Sequence, residues 1–314
     1  MIDIKRDRIL VLGATGFVGK AVCRLLRERG VEPLETSLSM GVDLRDAAQT
    51  SVLFSRTRPK AVINCAAYVG GIEFGLRHPA EIFRNNLLMT INIQEACKEF
   101  HVERLVNPIS NCSYPAKATL FRENEFWDGP LDDSVLVYGM ARKMSWVAAW
   151  AYQRQYGTDT VNLILSNMYG PGDHFDPVRS HALGALIRKM VEAKEQPQPT
   201  VTIWGTGKPV REWLYVDDGA EALIRALTIQ PYVGPINIGV GKGISVIDLA
   251  HLIKEAVGYQ CELVLDPSKQ DGAAYKTVDG SLGAKLLGWR PQTSLRDGIE
   301  KTVASYRQQR RDND

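Results

Sequence analysis

Leu10–Val22, LVLGATGFVGKAV, is the stretch on which the reading of the fold turns. Gly13, Gly16 and Gly19 stand directly between a short apolar run and an amphipathic one. In that place Gly13 permits a tight turn, Gly16 a close backbone approach to a pyrophosphate, and Gly19 the packing of helix on strand. The helix start adds unpaired N–H groups and a positive dipole end, a seat for phosphates. Glycines in a turn are often only a turn, but this set follows a strand and opens a helix. The segment therefore reads as a dinucleotide site lined by Gly13, Thr15, Gly16, Phe17, Val18 and Gly19.

Outward from it, short apolar runs alternate with longer amphipathic ones, the pattern of βαβ units on a parallel sheet. Strands are expected at 8–12, 31–35, 61–65, 104–109 and 160–166. Helices are expected at 17–29, 46–56 and 80–100, with one more carrying Tyr138. The runs are nearly continuous in apolar residues, as when helices cover both faces. After NMYGPGDHFDP (167–177) the pattern loosens into helices, a strand VTIW and Gly/Pro-rich turns. The expected architecture is α/β: a doubly wound parallel sheet of Rossmann type with a smaller C-terminal substrate region. Residues 1–168 plus 216–241 would form the dinucleotide-binding domain, and 169–215 plus 242–314 the substrate domain.

The chain has 314 residues, 45% hydrophobic and 24% charged, with a net charge of +2. That composition is ordinary for a soluble protein and does not call for nucleic acid or a membrane. The five cysteines are scattered without C-x-x-C pairs, which argues for a reducing compartment and against a metal site or disulfide scaffold. No run reaches the ~18 apolar residues of a membrane span, and the start lacks a signal-peptide pattern. A cytoplasmic protein is expected, and the Asn111-Cys-Ser113 sequon is then incidental.

A 2′-phosphate on the cofactor calls for Arg or Lys at the end of the second strand, whereas a free 2′-hydroxyl is held by Asp or Glu. Between Arg29 and Arg45 there is no basic residue, and Glu35 stands ~20 residues beyond the glycines. The reading is NAD(H) or NADP(H), with NAD(H) preferred. NPISNCSYP (107–115) ends a strand, and Ser110 there can donate a hydrogen bond to a substrate carbonyl. On an extended backbone Cys112 would face the same way; alone it reads either as packing or as an acid/base. Tyr138 and Arg142 share a helix face, whereas Lys143 lies about 140° further round than Tyr138. Arg142 can lower the phenol's pKa by its charge but cannot relay a proton.

The G-x-x-G-x-x-G spacing resembles extended short-chain dehydrogenase/reductases. In that likeness VDLRD (Asp43, Leu44) fits the adenine loop, NCAAYVGG (with Ala66 and Ala67) the segment under the ribose and pyrophosphate, and Asn86 lies on the fourth helix. YVGGI, NPISNCSYP, QRQYG, LSNMYGPGDHFDPVRSHALGALIRKM, VTIWGTGKPVREWLYVDD, DPSKQDG and LGWRPQTSL are similar to the GDP-L-fucose synthase family, over nearly the whole chain.

The resemblance implies a GDP-4-keto-6-deoxyhexose, epimerised at C3 and C5 and then reduced at C4 by a nicotinamide. Cys112 would be the base and His181 the acid, with reference pKa values of about 8.5 and 6.5. His174 reads as a loop or capping histidine. Tyr138 would protonate the C4 oxygen and Ser110 polarise the carbonyl. Asn167, Arg188, Arg211 and Lys276 would contact the GDP, with Trp204 near the nucleotide or sugar. A homodimer through the fourth and Tyr138-bearing helices is also implied. Three departures stand out: Thr15 and ETSLSMG in place of basic residues, KQDGAAYK near Lys276, and Arg142 in place of lysine. They keep open a redox-neutral NAD-retaining epimerase and a C4-only reductase of a related GDP-sugar. A non-catalytic dinucleotide sensor is the remaining alternative.

Overall fold

A computed structural model describes residues 2–177, 180–269 and 271–313. Val178, Arg179 and Gln270, inside stretches quoted above, lie outside the described residues.

The first elements are β1 (Ile9–Leu12), α1 (Phe17–Glu28), β2 (Leu34–Thr36), α2 (Ala47–Thr57), β3 (Ala61–Asn64) and α3 (Ile72–Arg77). Next come α4 (Pro79–Glu99), β4 (Arg104–Ser110), α5 (Leu136–Tyr156) and β5 (Thr160–Leu165). β2 begins three residues later than expected because Pro33 has no N–H to give the ladder. Val31 instead folds back, its N–H donating to Leu26 O at 3.0 Å.

Beyond β5 follow β6 (Asn167–Tyr169), α6 (Ala182–Glu195), β7 (Thr200–Trp204), β8 (Val210–Tyr215), α7 (Val216–Arg225) and β9 (Pro235–Ile238). The chain then forms β10 (Gly243–Ser245), α8 (Val246–Val257), β11 (Glu262–Asp266), β12 (Tyr275–Lys276), α9 (Ser281–Leu287) and α10 (Leu295–Asn313).

Six strands make a parallel sheet in the order β2-β1-β3-β4-β5-β9. Every residue of β1, β3 and β5 is buried, as helices on both faces require. One polar line crosses this apolar sheet. Asn107 Nδ2 donates to Asn162 Oδ1 at 2.9 Å, and Asn64 Nδ2 to Asn107 Oδ1 at 3.4 Å. Their amides satisfy one another, so the line adds register without orphaned groups.

A second core gathers Tyr169, Leu183, Ile187 and Met190 with Leu249, Ile253, Ile299 and Val303. Its strands are short: β10 and β12 flank β8, β6 also pairs with β8, and β11 pairs with β7. The sequence division put residues 242–314 wholly with this region, but Leu287 and Trp289 lie in the core of the large sheet. Gly283 brings α9 against β9 there; a Cβ would stand 2.3 Å from Asn237 O.

Candidate active site

The glycine turn is shaped for close approach. Gly13 has φ +72°, and a Cβ on it would stand 2.8 Å from Ala66 N, so this turn and the loop after β3 meet without side chains between them. Gly19 lies under the same turn, where a Cβ would come 2.1 Å from Gly13 O. Gly16 caps α1 in extended conformation with no side-chain cap, leaving the helix-start N–H groups of Phe17 and Val18 for an anion. The loop after β3 is fixed from behind. Asn64 Oδ1 accepts from Ala66 N at 3.1 Å, and Asn86, buried, exchanges hydrogen bonds with both backbone groups of Tyr68. Asn86, read as a cofactor contact, thus spends its amide on holding this loop; Ala67 is exposed beside it.

Glu35 does not face the glycine turn. Leu34 packs toward the α2 side of the sheet, so alternation sends Glu35 to the α1 side. There it is paired with Arg27 and lies beside Cys23, whose thiol burial and Glu35 push up to about 12. The groups that do meet the glycine turn are Ser37 and Ser39. Thr15 Oγ1 lies 2.9 Å from both hydroxyls, and these are 3.0 Å from each other. Two serines just past β2, facing a threonine in the turn, were a readable signal that attention to acidic residues alone passed over. In the adenine loop, Asp43 is bound by Arg45 at 2.8 and 2.6 Å, while Leu44 is a core residue anchored by Asn92.

The chemical groups converge at the end of β4. Asn111–Ser113 form a 3₁₀ turn, not the extended backbone expected. Ser110 Oγ caps it, accepting from Cys112 N at 3.1 Å. The Ser110 O–H has no partner among the described residues and is left to donate. α5 lies against this turn through Gly139, where a Cβ would stand 2.3 Å from Cys112 O, and Ser113 Oγ donates to Gly139 O at 2.9 Å. That contact brings Tyr138 to Cys112. Burial pushes the Tyr138 phenol above its usual 10; Arg142 pulls it down and Cys112 pushes it up.

Arg142 is buried, donates through Nη2 to Pro108 O, and keeps its Nε without a partner among the described residues. Lys143 is held elsewhere: it donates to Phe126 O and lies over the Phe126 and Trp127 rings, 4.6 and 4.4 Å from their centroids. Burial keeps its ammonium below the ordinary lysine range.

From the other region, Lys276 Nζ reaches Cys112 Sγ at 3.4 Å. His181 stands at the start of α6, reached by solvent yet surrounded closely enough that desolvation lowers its pKa; the charges of Lys276 and His174 add to this. His174 itself is in the preceding loop, its N–H on Asp173 Oδ1 at 2.7 Å, and burial raises the Asp173 carboxyl to about 7. Arg211, on β8 beside Lys276, donates to Val210 O and Asp271 O and also feels Cys112. Asn167 Nδ2 donates to Glu212 O at 3.0 Å, tying β6 to the same sheet.

Trp204 is an exposed indole, not a core residue, with Lys189 Nζ 5.1 Å and Lys269 Nζ 5.3 Å from its centroid. Arg188 is paired with Glu192 at 2.9 Å, and its Nε is buried without a partner among the described residues. The adjacent Lys189 points about 100° further round the helix and lies over Trp204. Sequence reading also passed over Asp271, which accepts from Thr206 N and Oγ1 at 2.7 and 2.8 Å. Among the described residues no group of three or more His, Cys, Asp or Glu could hold a metal ion, and no helix is long and apolar enough to cross a membrane.

Residues 9–239 match the NAD dependent epimerase/dehydratase family. The chain is 37% identical over 303 residues to GDP-L-fucose synthase 1 of Arabidopsis thaliana, covering 96% of this chain and 94% of that protein. Among solved structures, it resembles a GDP-6-OMe-4-keto-L-xylo-heptose reductase from C. jejuni with TM-score 0.91 and 27% identity, over 98% of this chain and 99% of the other. A GDP-L-fucose synthetase from Naegleria fowleri bound to NADP gives TM-score 0.90 and 28% identity, over 99% and 96%.

Proposed function

The chain belongs to the NAD dependent epimerase/dehydratase family, in its GDP-L-fucose synthase branch, and from that premise we propose how its residues act. It is a nicotinamide-dependent nucleotide-sugar enzyme that epimerises a GDP-4-keto-6-deoxyhexose at C3 and C5 and reduces it at C4. The observation that carries this reading is the convergence of Ser110, Cys112 and Tyr138 from one region with His181 and Lys276 from the other.

The C4 ketone acidifies the protons on both neighbouring carbons. Cys112 takes such a proton, the C–H pair passing into the enolate, and His181 returns a proton on the opposite face of the ring. A depressed imidazole is mostly neutral at pH 7, so His181 acts from a minor protonated form that grows as pH falls. A bound nicotinamide supplies the hydride for C4. Ser110 donates to the C4 oxygen and Tyr138 gives it a proton. Arg142, with its buried unpaired Nε, faces the same space as a fixed cation. Arg211, Asn167, Lys276, Lys189 and Trp204 take the GDP end, the guanidinium suiting a diphosphate.

NADH is the preferred reductant in this reading. Support comes from the Thr15–Ser37–Ser39 cluster, which offers hydroxyls but no cation where a 2′-phosphate would have to be balanced. The chain acts as a cytoplasmic homodimer with α4 and α5 at the interface, a reading supported by Ile91 and Trp150, exposed on those helices.

Incubation in D₂O with GDP-4-keto-6-deoxymannose and NADH or NADPH tests the whole scheme. Deuterium in the ring together with cofactor oxidation is expected. Oxidation without deuterium would replace the scheme by C4 reduction alone, which the C. jejuni reductase favours by its likeness in fold. Absence of both signals would overturn the substrate.

A further inference from the structure

Cys112 sits among positive charge. Lys276 Nζ is 3.4 Å from its sulfur, and Arg211, next to Lys276 across the β8–β12 pairing, is close enough for Cys112 to act on its charge. Neither cation forms an ion pair with a carboxylate among the described residues. Arg211 donates only to the backbone oxygens of Val210 and Asp271, and Lys276, 9% exposed, donates to Cys112. Cys112 also acts on the Tyr138 phenol of α5, which Arg142 faces too, and Lys276 acts on His181. Asp132 and Asp271 act on Arg211 from a distance.

An ammonium donating to sulfur favours the thiolate over the thiol, because the thiolate is the better acceptor and carries the opposite charge. Contact with a diphosphate alone would not require the amine to lie on this sulfur. We propose that Lys276 is the positioning residue that holds Cys112 as a thiolate, poised to take a proton from the carbon beside the substrate ketone. The proposal rests on the epimerase reading for its purpose but not for its chemistry. In the step itself the substrate C–H bond breaks, an S–H bond forms, and the C–H electron pair moves into the enolate. The lysine keeps all its protons throughout, and nothing is oxidised or reduced.

Alkylation reads the thiolate without any substrate. Iodoacetamide forms an S–C bond and releases iodide, at a rate proportional to the thiolate fraction. The full-length protein would be alkylated from pH 5.5 to 9.5, and the Cys112 peptide quantified by mass against the other four cysteines. In the wild type the rate should already be near its plateau at pH 7, whereas an unperturbed thiol of pKa about 8.5 would gain about tenfold per pH unit there. Lys276→Met should lower the pH 6.5 rate about tenfold or more and regain it at high pH, with Lys276→Arg close to wild type.

A wild-type rate that climbs tenfold per unit up to pH 8.5 would overturn the proposal, and that measurement needs no variant to fold. So would a Lys276→Met profile that superimposes on the wild type, the result expected if Lys276 only contacts GDP. The two readings fail separately. Thiolate reactivity without deuterium uptake would remove the epimerase and leave the pair; deuterium uptake with an unmoved Lys276→Met profile would do the reverse.

Discussion

Tyr138 is where a single residue type decides most about rate. As a general acid it must be protonated, and burial puts its pKa above 10, so it is protonated across the neutral range. The reductive step should therefore be flat from pH 7 to 9, with its alkaline limb above pH 10. Arg142 opposes the burial effect, so Arg142→Met should move that limb further up. Tyr138→Phe should cost about 10²- to 10⁴-fold in cofactor oxidation. An alkaline limb below pH 9 that survives in Tyr138→Phe would assign the proton to another group.

The cofactor's far end is also decided by single side chains. Ser37→Arg, placed beside Thr15 and Ser39, should raise the NADPH-to-NADH ratio of kcat/KM about 10- to 100-fold, the value of one charge-assisted contact. An unchanged ratio would show that the 2′ position lies elsewhere. Arg142 and the exclusion of Lys143 were legible in the sequence, because both follow from helix geometry. Glu35 was not, since pairing register decides which side of the sheet a strand residue faces, and Glu35 pairs with Val11, which packs on the α1 side.

At the scale of elements, α5 comes closest to the Cys112 turn at Gly139, on the backbone of Cys112. Gly139→Ala places a methyl 2.3 Å from that carbonyl, so the helix must withdraw and take Tyr138 with it. Both cofactor oxidation and deuterium uptake should fall by at least about tenfold, because Cys112 and Tyr138 are displaced together. Loss of one signal alone would show that the turn and the helix move independently. The large sheet was readable because its buried strands are continuous apolar runs between amphipathic helices. The small sheet was not. β6, β10 and β12 have two or three residues each, too few for a period, and they pair across long stretches of chain. Ser110 and Cys112 were expected on one face of an extended strand, but a 3₁₀ turn that Ser110 caps joins them instead.

For the molecule as a whole, α4 and α5 pack on each other and still present Ile91 and Trp150, 49% and 42% exposed, to the outside. If they form the dimer interface, the wild type should sediment at twice the chain mass of 34.9 kDa. Ile91→Glu with Trp150→Glu should sediment as a monomer with its helical signal intact. A monomeric wild type would remove the interface.

Cys112 and Lys276 are 164 residues apart in the chain and meet only when the second region closes over the first. During synthesis the cysteine emerges long before its lysine. For that interval it has no ammonium beside it. If the lysine holds the thiolate as proposed, reactivity would arrive only with β12, the last strand of the small sheet.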